Sequence, residues 1–156
     1  MKETNIELMS DNNNKPQITN NQPTENWFES WFDTSYYHIL YKDRDDKEAQ
    51  LLMDNLTHYL NLPEDAKILD LACGKGRHAI YLNSLGYDVT GMDLSENSIA
   101  EASKSENEKL RFKVHDMREV CDEKYDAIFN LFTSFGYFDT DEDNFKTLKA
   151  IHNSLT

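Results

Sequence analysis

The segment ILDLACGKGRHAIYL (68–82) constrains the fold more than any other part of the chain. Its apolar run ends at Asp70, a short loop carries Gly74 and Gly76, and a helical pattern starts directly afterwards. Glycine permits unusual backbone angles and lets a ligand touch the main chain, and the start of a helix offers free N–H groups. The segment therefore predicts a strand, a ligand-binding turn and a helix in succession.

The same order of strand and helix is repeated along the rest of the chain. Apolar runs predict strands over 67–72, 87–93, 110–116 and 125–132, and helical periodicity predicts helices over 78–86, 95–104 and 140–155. We expect Gly86 to end the first of these helices. The last helix is predicted to have an apolar stripe made of Phe145, Leu148, Ile151 and Leu155. Such alternation is typical of an α/β fold in which helices cover both faces of a mainly parallel sheet.

The N-terminal part differs in composition from this alternating region. Residues 1–24 are rich in Asn and lack periodicity, so we expect a disordered tail. Residues 25–62 are predicted to form N-terminal helices with an aromatic lid, and 63–156 the ligand-binding domain. One predicted helix presents Trp27, Phe28, Trp31 and Phe32, and a second, over 45–60, presents Ala49, Leu52, Met53, Leu56, Tyr59 and Leu60 on one face.

Composition limits the classes of partner. The formal net charge of −13 repels polyanions, so nucleic acid is not favoured and a cationic or small-molecule ligand fits better. No apolar stretch is long enough to span a membrane, and no secretory signal is visible, so a cytoplasmic location is expected. Cys73 and Cys121 have no metal-ligand spacing, so no metal site is predicted and both thiols are expected to be reduced.

Two cofactor classes fit the glycine-rich turn. A carboxylate at Asp93, which ends the second predicted strand, can bind the hydroxyls of an adenosine ribose. Residues 74–79 also fit the dinucleotide pattern G-x-G-x-x-G/A. A pyrophosphate there would face the Asp70 carboxylate, whereas the ammonium and sulfonium of S-adenosylmethionine would be attracted by it. The charge argument favours S-adenosylmethionine, and an NAD(P)-dependent oxidoreductase is the alternative.

Four motifs in order resemble those of the class I S-adenosylmethionine-dependent methyltransferases. Residues 70–76 (DLACGKG) resemble the first motif, 91–95 (GMDLS) the second, 115–118 (HDMR) the third and 125–132 (YDAIFNLF) the fourth. The resemblance implies a Rossmann-like three-layer α/β/α sandwich with strand order 3-2-1-4. It also implies that the C-terminal strands of the family fold are missing from this chain, which leaves the edge of the fourth strand exposed.

The resemblance also implies which residues bind the cofactor. These are Asp70, Ala72, Cys73, Gly74, Gly76, Asp93, Leu94, Asp116, Met117, Asn130 and Leu131, together with Tyr37, Tyr41 and Arg44 from the lid. Other roles stay open for several of them: helix capping for Asp93, hydrogen bonds to loop amides for Asp70, a turn for Asp116, and simple packing for the lid. His78 is interpreted as a packed histidine rather than a base, and no catalytic base is nominated.

The predicted function is methyl transfer from S-adenosylmethionine to a small molecule by direct displacement, with S-adenosylhomocysteine as product. In this class the protein holds the acceptor and the methyl group in line and excludes water. A non-catalytic module that forms a homodimer through the exposed sheet edge is a further alternative.

Overall fold

The computed structural model describes residues 46–132 and 134–156. The predicted tail over 1–24, the aromatic helix and the lid residues Tyr37, Tyr41 and Arg44 lie outside the described residues. Within them the chain forms α1 (Asp46–Leu60), β1 (Lys67–Leu71), α2 (Arg77–Ser84), β2 (Asp88–Asp93), α3 (Glu96–Ala102), β3 (Leu110–Val114), β4 (Ala127–Phe129) and α4 (Asp141–Ser154). A short 3-10 turn, Ser103–Ser105, follows α3.

The four strands form one parallel sheet in the order β3-β2-β1-β4, which confirms the predicted fold class and strand order. β1 is central, and its Asp70 lies opposite Gly91 of β2 and Phe129 of β4. Because the strands are parallel, their carboxyl ends meet along one edge of the sheet. The loops that follow β1, β2, β3 and β4 are therefore neighbours.

Two apolar cores lie on the two faces of the sheet. The first joins strand residues such as Ile68 to Met53 of α1, Leu82 of α2 and Ile99 of α3. The second is built from Leu69, Leu71, Met92 and Tyr125, with Ile151 of α4 packed against it. Both sides of β1 are thus buried, as expected for a central parallel strand, and the helices form the two outer layers.

Strand β4 is shorter than the run over 125–132 predicts. Tyr125 donates its backbone N–H to Ser154 O (2.9 Å) and accepts from Thr156 N–H (3.0 Å), so it pairs with the C-terminal end of α4 and the residues that follow. At the other end the backbone of Phe132 has a φ of 54°, which breaks the extended conformation. Only Ala127–Phe129 pair with β1.

The apolar stripe predicted for α4 is only partly correct as the buried face of that helix, since Ile151 packs against the second core. Phe145 is 68% exposed and Leu148 47% exposed. The buried residues of α4 are instead Thr147, Ala150 and Ser154. These side chains are small, and Ser154 Oγ is held by Ala150 O (2.8 Å) and by the backbone N–H of Cys121 (3.0 Å). Of the larger apolar residues of this helix, Phe145 and Leu148 are exposed, whereas Ile151 packs against the second core.

The face predicted for α1 is only partly correct. Ala49 and Met53 are buried, but Tyr59 and Leu60 are exposed. Thr57 is buried in their place, and its hydroxyl donates to Met53 O (2.8 Å). Among the described residues no helix is both long and apolar enough to cross a bilayer.

The aromatic ring of Phe112 fixes the glycine-rich loop onto the sheet. A Cβ added to Gly76 would lie 2.5 Å from Phe112 Cε1, and one added to Gly91 would lie 2.5 Å from Phe112 Cδ1 and 3.0 Å from Cys73 Sγ. Such distances are severe overlaps. The missing side chains of two glycines therefore provide the space that this one ring fills.

We predict that Gly91→Ala destabilises the fold by about 1–3 kcal/mol through overpacking. Gly91 has no positive φ, so the effect is steric and not a backbone cost. Trimming the opposing ring should relieve it, and Gly91→Ala combined with Phe112→Leu should cost less than the two single changes added together. Urea denaturation of the four proteins measures this coupling. Strictly additive free energies of unfolding would contradict the packing described here.

Candidate functional site

The loop between β1 and α2 has three residues in left-handed backbone conformations: Ala72 (φ 62°), Gly74 (φ 56°) and Gly76 (φ 80°). Cys73 between them donates its N–H to Met92 O (2.9 Å) and accepts from Gly76 N–H (3.0 Å). A Cβ on Gly74 would meet nothing within 4 Å. The loop is thus packed against β3 at Gly76 and open on the side of Gly74.

The carboxylate of Asp93 ties this loop to the end of β2. Its Oδ2 accepts the N–H of Gly74 (2.8 Å) and its Oδ1 accepts the N–H of Ser95 (2.9 Å). Ser95 Oγ in turn accepts from Ser98 N–H (3.1 Å) and caps α3. Asp93 therefore lies beside a helix cap, in line with the capping role that the sequence left open for it. It also holds the glycine-rich loop. Leu94 between the two is half-buried.

Asp70 is a buried carboxylate, 2% exposed, beneath the same loop. Its Oδ2 accepts the N–H of Ala79 (3.2 Å) in the first turn of α2. Burial raises the pKa of Asp70 to about 7, the Ala79 hydrogen bond opposes the rise, and the Asp93 charge adds to it. The side chain thus holds the start of α2 through the amide of a helix residue.

The loop after β3 is ordered by an ion pair between Asp116 and Arg118. Asp116 accepts the backbone N–H of Arg118 (2.9 Å) and both its oxygens accept from Nε of that side chain (3.0 Å). Burial opposes ionisation, but the Arg118 hydrogen bonds and charge hold the pKa of Asp116 below its usual range. The Arg118 guanidinium also lies 4.5 Å from the ring centroid of Phe138. Asp116 therefore forms a turn, which is the second role that the sequence left open for it. Its neighbour Met117 packs against the second core.

The end of β4 is bonded to the end of β1. Asn130 donates from Nδ2 to Leu71 O (3.1 Å), and Leu131 packs against the first core. Phe132 then stacks on His78, with ring centroids 5.0 Å apart and an interplanar angle of 13°. His115 N–H donates to Asp93 O (2.9 Å). Hydrogen bonds thus connect the loops after all four strands.

His78 is packed, as its sequence position suggested, and it is 8% exposed. Burial lowers its pKa to about 4, and the Arg77 charge lowers it further. Its Nε2 has no hydrogen-bond partner within the described part of the chain.

The two thiols differ in environment. Burial raises the pKa of Cys73 above its usual range, which suits a packed loop residue and not a nucleophile. Cys121 is half-buried, with Sγ 3.8 Å from both Met92 Sδ and His115 Nε2. No three or more His, Cys, Asp or Glu side chains are grouped to hold a metal over 46–132 and 134–156.

The structure brings most of the predicted cofactor residues together. Asp70, Ala72, Cys73, Gly74, Gly76, Asp93, Leu94, Asp116, Met117, Asn130 and Leu131 all lie at or just beyond the carboxyl ends of the strands. Phe112, Gly91 and Arg118 shape the same region and were not predicted. Gly91 lies within the second motif, but its packing role depends on the register between β2 and β3, which a single sequence does not contain.

The comparisons with known proteins agree with this site. A family model described as a methyltransferase domain matches residues 68–156. That match covers more than half of the chain, and the chain belongs to this family of methyltransferase domains. The parallel sheet and its strand order further place it among the class I S-adenosylmethionine-dependent methyltransferases.

Individual relatives support the same family. The Bacillus subtilis (strain 168) protein YqeM, which carries a methyltransferase name, is 39% identical over 99 residues, or 61% of this chain and 40% of that protein. The glycine/sarcosine N-methyltransferase of Aphanothece halophytica is 28% identical over 141 residues, or 86% of this chain and 50% of that protein. This chain thus spans half or less of the length of these curated relatives.

Among solved structures, an S-adenosylmethionine-dependent methyltransferase from Clostridium acetobutylicum ATCC 824 has a TM-score of 0.65 and 27% identity. The match covers 84% of this chain and 53% of that one. Of the two cofactor classes that fit the glycine-rich turn, the family match favours S-adenosylmethionine over NAD(P).

We predict that Asp70 makes the folded state lose stability as pH rises. Its folded-state pKa is raised, so the folded protein binds more protons than the unfolded chain between about pH 4 and about pH 7. The contribution of Asp70 to the free energy of unfolding is fully present below that window. It is lost as pH rises through the window, and the loss is on the order of a few kcal/mol. Urea denaturation at about pH 5 and about pH 8 should show a larger drop for the wild type than for Asp70→Asn. An equal drop in both proteins would contradict the assignment.

Proposed function

We propose that this chain binds S-adenosylmethionine across the carboxyl ends of its four strands and, in the whole protein, directs methyl transfer to a small-molecule amine. The observation that carries the proposal is the bond between Asp93 and Gly74. That bond holds the loop with the Gly74 face open and with a carboxylate beside it.

The residues present fit the chemistry of this cofactor. Asp93 lies at the end of β2 beside the glycine-rich loop, where a carboxylate can bind both hydroxyls of a ribose, and we assign it to the ribose hydroxyls. The open main chain at Gly74 suits close contact with the ligand. Asp93, with Asp70 in its ionised form, gives the loop a negative potential, which suits an ammonium and a sulfonium and opposes a pyrophosphate.

The remaining predicted residues are assigned by their place around this centre. Met117 and Asp116, after β3, would flank the adenine. Asn130 and Leu131, after β4, would face the methionine end. We propose that the lid residues Tyr37, Tyr41 and Arg44 close over the ligand.

The bound cofactor supplies an electrophilic methyl group on a sulfonium. The protein's part is to orient the ligand, to exclude water and to hold the acceptor in line. The hydrogen bonds that connect the strand-end loops keep this frame fixed before a ligand enters, which reduces the ordering cost of binding. No described residue is assigned as a catalytic base.

Two observations support an amine as the acceptor. The relative that matches 86% of this chain is named as an N-methyltransferase of glycine and sarcosine, both of which are amines. The net charge of −13 attracts an ammonium-bearing acceptor to the protein. We further propose a cytoplasmic location, since both cysteines are free thiols. A homodimer through the outer edge of β4 stays a prediction.

The cofactor assignment predicts micromolar binding of S-adenosylhomocysteine and no binding of NAD in calorimetric titrations of the 156-residue chain. Gly74→Ala should weaken S-adenosylhomocysteine binding about tenfold or more, since a methyl group would occupy the open face of the loop. The matched control is Gly86→Ala, which adds the same methyl at a positive φ (103°) and in open space, but at the opposite end of the sheet. Binding of NAD alone, or equal losses in both variants, would contradict the assignment.

The acceptor assignment predicts release of S-adenosylhomocysteine with small primary and secondary amines and not with alcohols of matched size. Only the neutral amine carries the lone pair that attacks, so the rate should rise with pH towards the pKa of the amine. Mass spectrometry of the products over a pH series measures both effects. Methylation of the alcohols, with the amines left unmodified, would overturn the acceptor class.

A further inference from the structure

His78 lies where the sheet most readily accepts a ligand. In the order β3-β2-β1-β4, the chain turns to one side of β1 for β2 and to the other side for β4. The crevice between the carboxyl ends of β1 and β4 is therefore the topological switch point. His78 is in the first turn of α2, directly after the β1 loop, and its ring stacks on Phe132, which follows β4. The side chain thus joins the two walls of that crevice.

The ring of His78 has a polar atom with no partner. Nε2 is buried and has no hydrogen-bond partner among residues 46–132 and 134–156. The whole residue is only 8% exposed. Buried polar atoms are nearly always bonded, and the exceptions are commonly explained by a ligand or a water. Because burial keeps the imidazole neutral, this atom can serve as a single N–H donor without bringing a charge.

The surroundings of the atom favour an anionic group. The N-cap residue of α2 is Gly76, which provides no side-chain cap, and the helix has no acidic residue in its first turn. The Ala79 N–H is already bonded to Asp70, and the Ile80 N–H to Gly76 O. The Arg77 guanidinium lies 5.9 Å from the ring centroid of Phe132. On that side of the helix start, this charge and the positive end of the helix dipole stabilise a negative charge, whereas Asp70 opposes one on its own side.

We propose that Nε2–H of His78 donates a hydrogen bond to the carboxylate of the methionine end of the bound cofactor. The inference rests on the proposed function, because it takes S-adenosylmethionine as the ligand. This hydrogen bond would give the carboxylate and the ammonium of the methionine end separate places in the site. The carboxylate lies on the side of His78 and Arg77, and the ammonium lies towards Asp93. His78 then selects ligands that carry the amino-acid tail.

Two ligands and two variants test this assignment in calorimetric titrations of the full chain. S-adenosylhomocysteine carries the carboxylate, and 5′-methylthioadenosine lacks the whole amino-acid end. His78→Phe keeps a ring that can stack on Phe132 and removes Nε2. It should weaken S-adenosylhomocysteine binding about tenfold, as expected for the loss of one hydrogen bond to a charged group, and leave methylthioadenosine binding unchanged. His78→Gln, whose amide nitrogen reaches the position of Nε2, should restore most of the affinity.

The apo protein gives an independent readout. If Nε2 awaits a ligand, removing an unbonded buried polar atom should leave the melting temperature of His78→Phe equal to or above that of the wild type. Unchanged S-adenosylhomocysteine affinity in His78→Phe would overturn the inference while the proposed function stands. Equal losses for both ligands would also overturn it, since His78 would then act only through the fold. Failure of the wild type to bind S-adenosylhomocysteine would reject the proposed function and this inference together.

Discussion

The packing of Phe112 against two glycines is the contact on which the site depends. Its ring occupies the space above Gly91 and below Gly76, so the loop after β1 lies against β3 although β2 separates the two strands in the sheet. With the loop fixed at Gly76, its outer part at Gly74 is presented to the Asp93 carboxylate. A side chain at either glycine would lift the loop and separate that pair.

Two carboxylates close to one loop repel each other when both are charged, and here their environments differ. Asp93 is half-buried and bonded to two backbone N–H groups, which favour its charged form. Asp70 is buried with a single such bond, so desolvation prevails and its pKa rises. A ligand that brings positive charge would relieve both the desolvation of Asp70 and its repulsion from Asp93. A positive charge at this site would therefore favour the ionised form of Asp70.

Much of this could be predicted from the sequence because its local signals are strong. The apolar runs and glycines of 67–93 predict the bounds of β1, α2 and β2 within a few residues. The position of Asp93 beside the glycine-rich loop is expected because it ends the second predicted strand. Roles that depend on strand register could not be predicted, and Phe112 is the clearest case. Part of the face predicted for α4 was wrong for a different reason: apolar periodicity favours Phe145 and Leu148, which are exposed, whereas the fully buried positions hold the small residues Thr147, Ala150 and Ser154.

The loops after β3 and β4 extend the same logic to the rest of the site. Arg118 neutralises Asp116 and lies over Phe138, so this carboxylate adds little to the negative potential and acts mainly to fix its loop. Near the glycine-rich loop, by contrast, the guanidinium of Arg77 stands at the start of α2, on the side of His78 and Phe132. Negative potential is thus concentrated at Asp93, with Asp70 adding to it where it is ionised, and positive potential lies on the Arg77 side of the start of α2. A zwitterion has one preferred orientation between them, and this polarity, more than shape, would set the direction in which a ligand's amino-acid end lies.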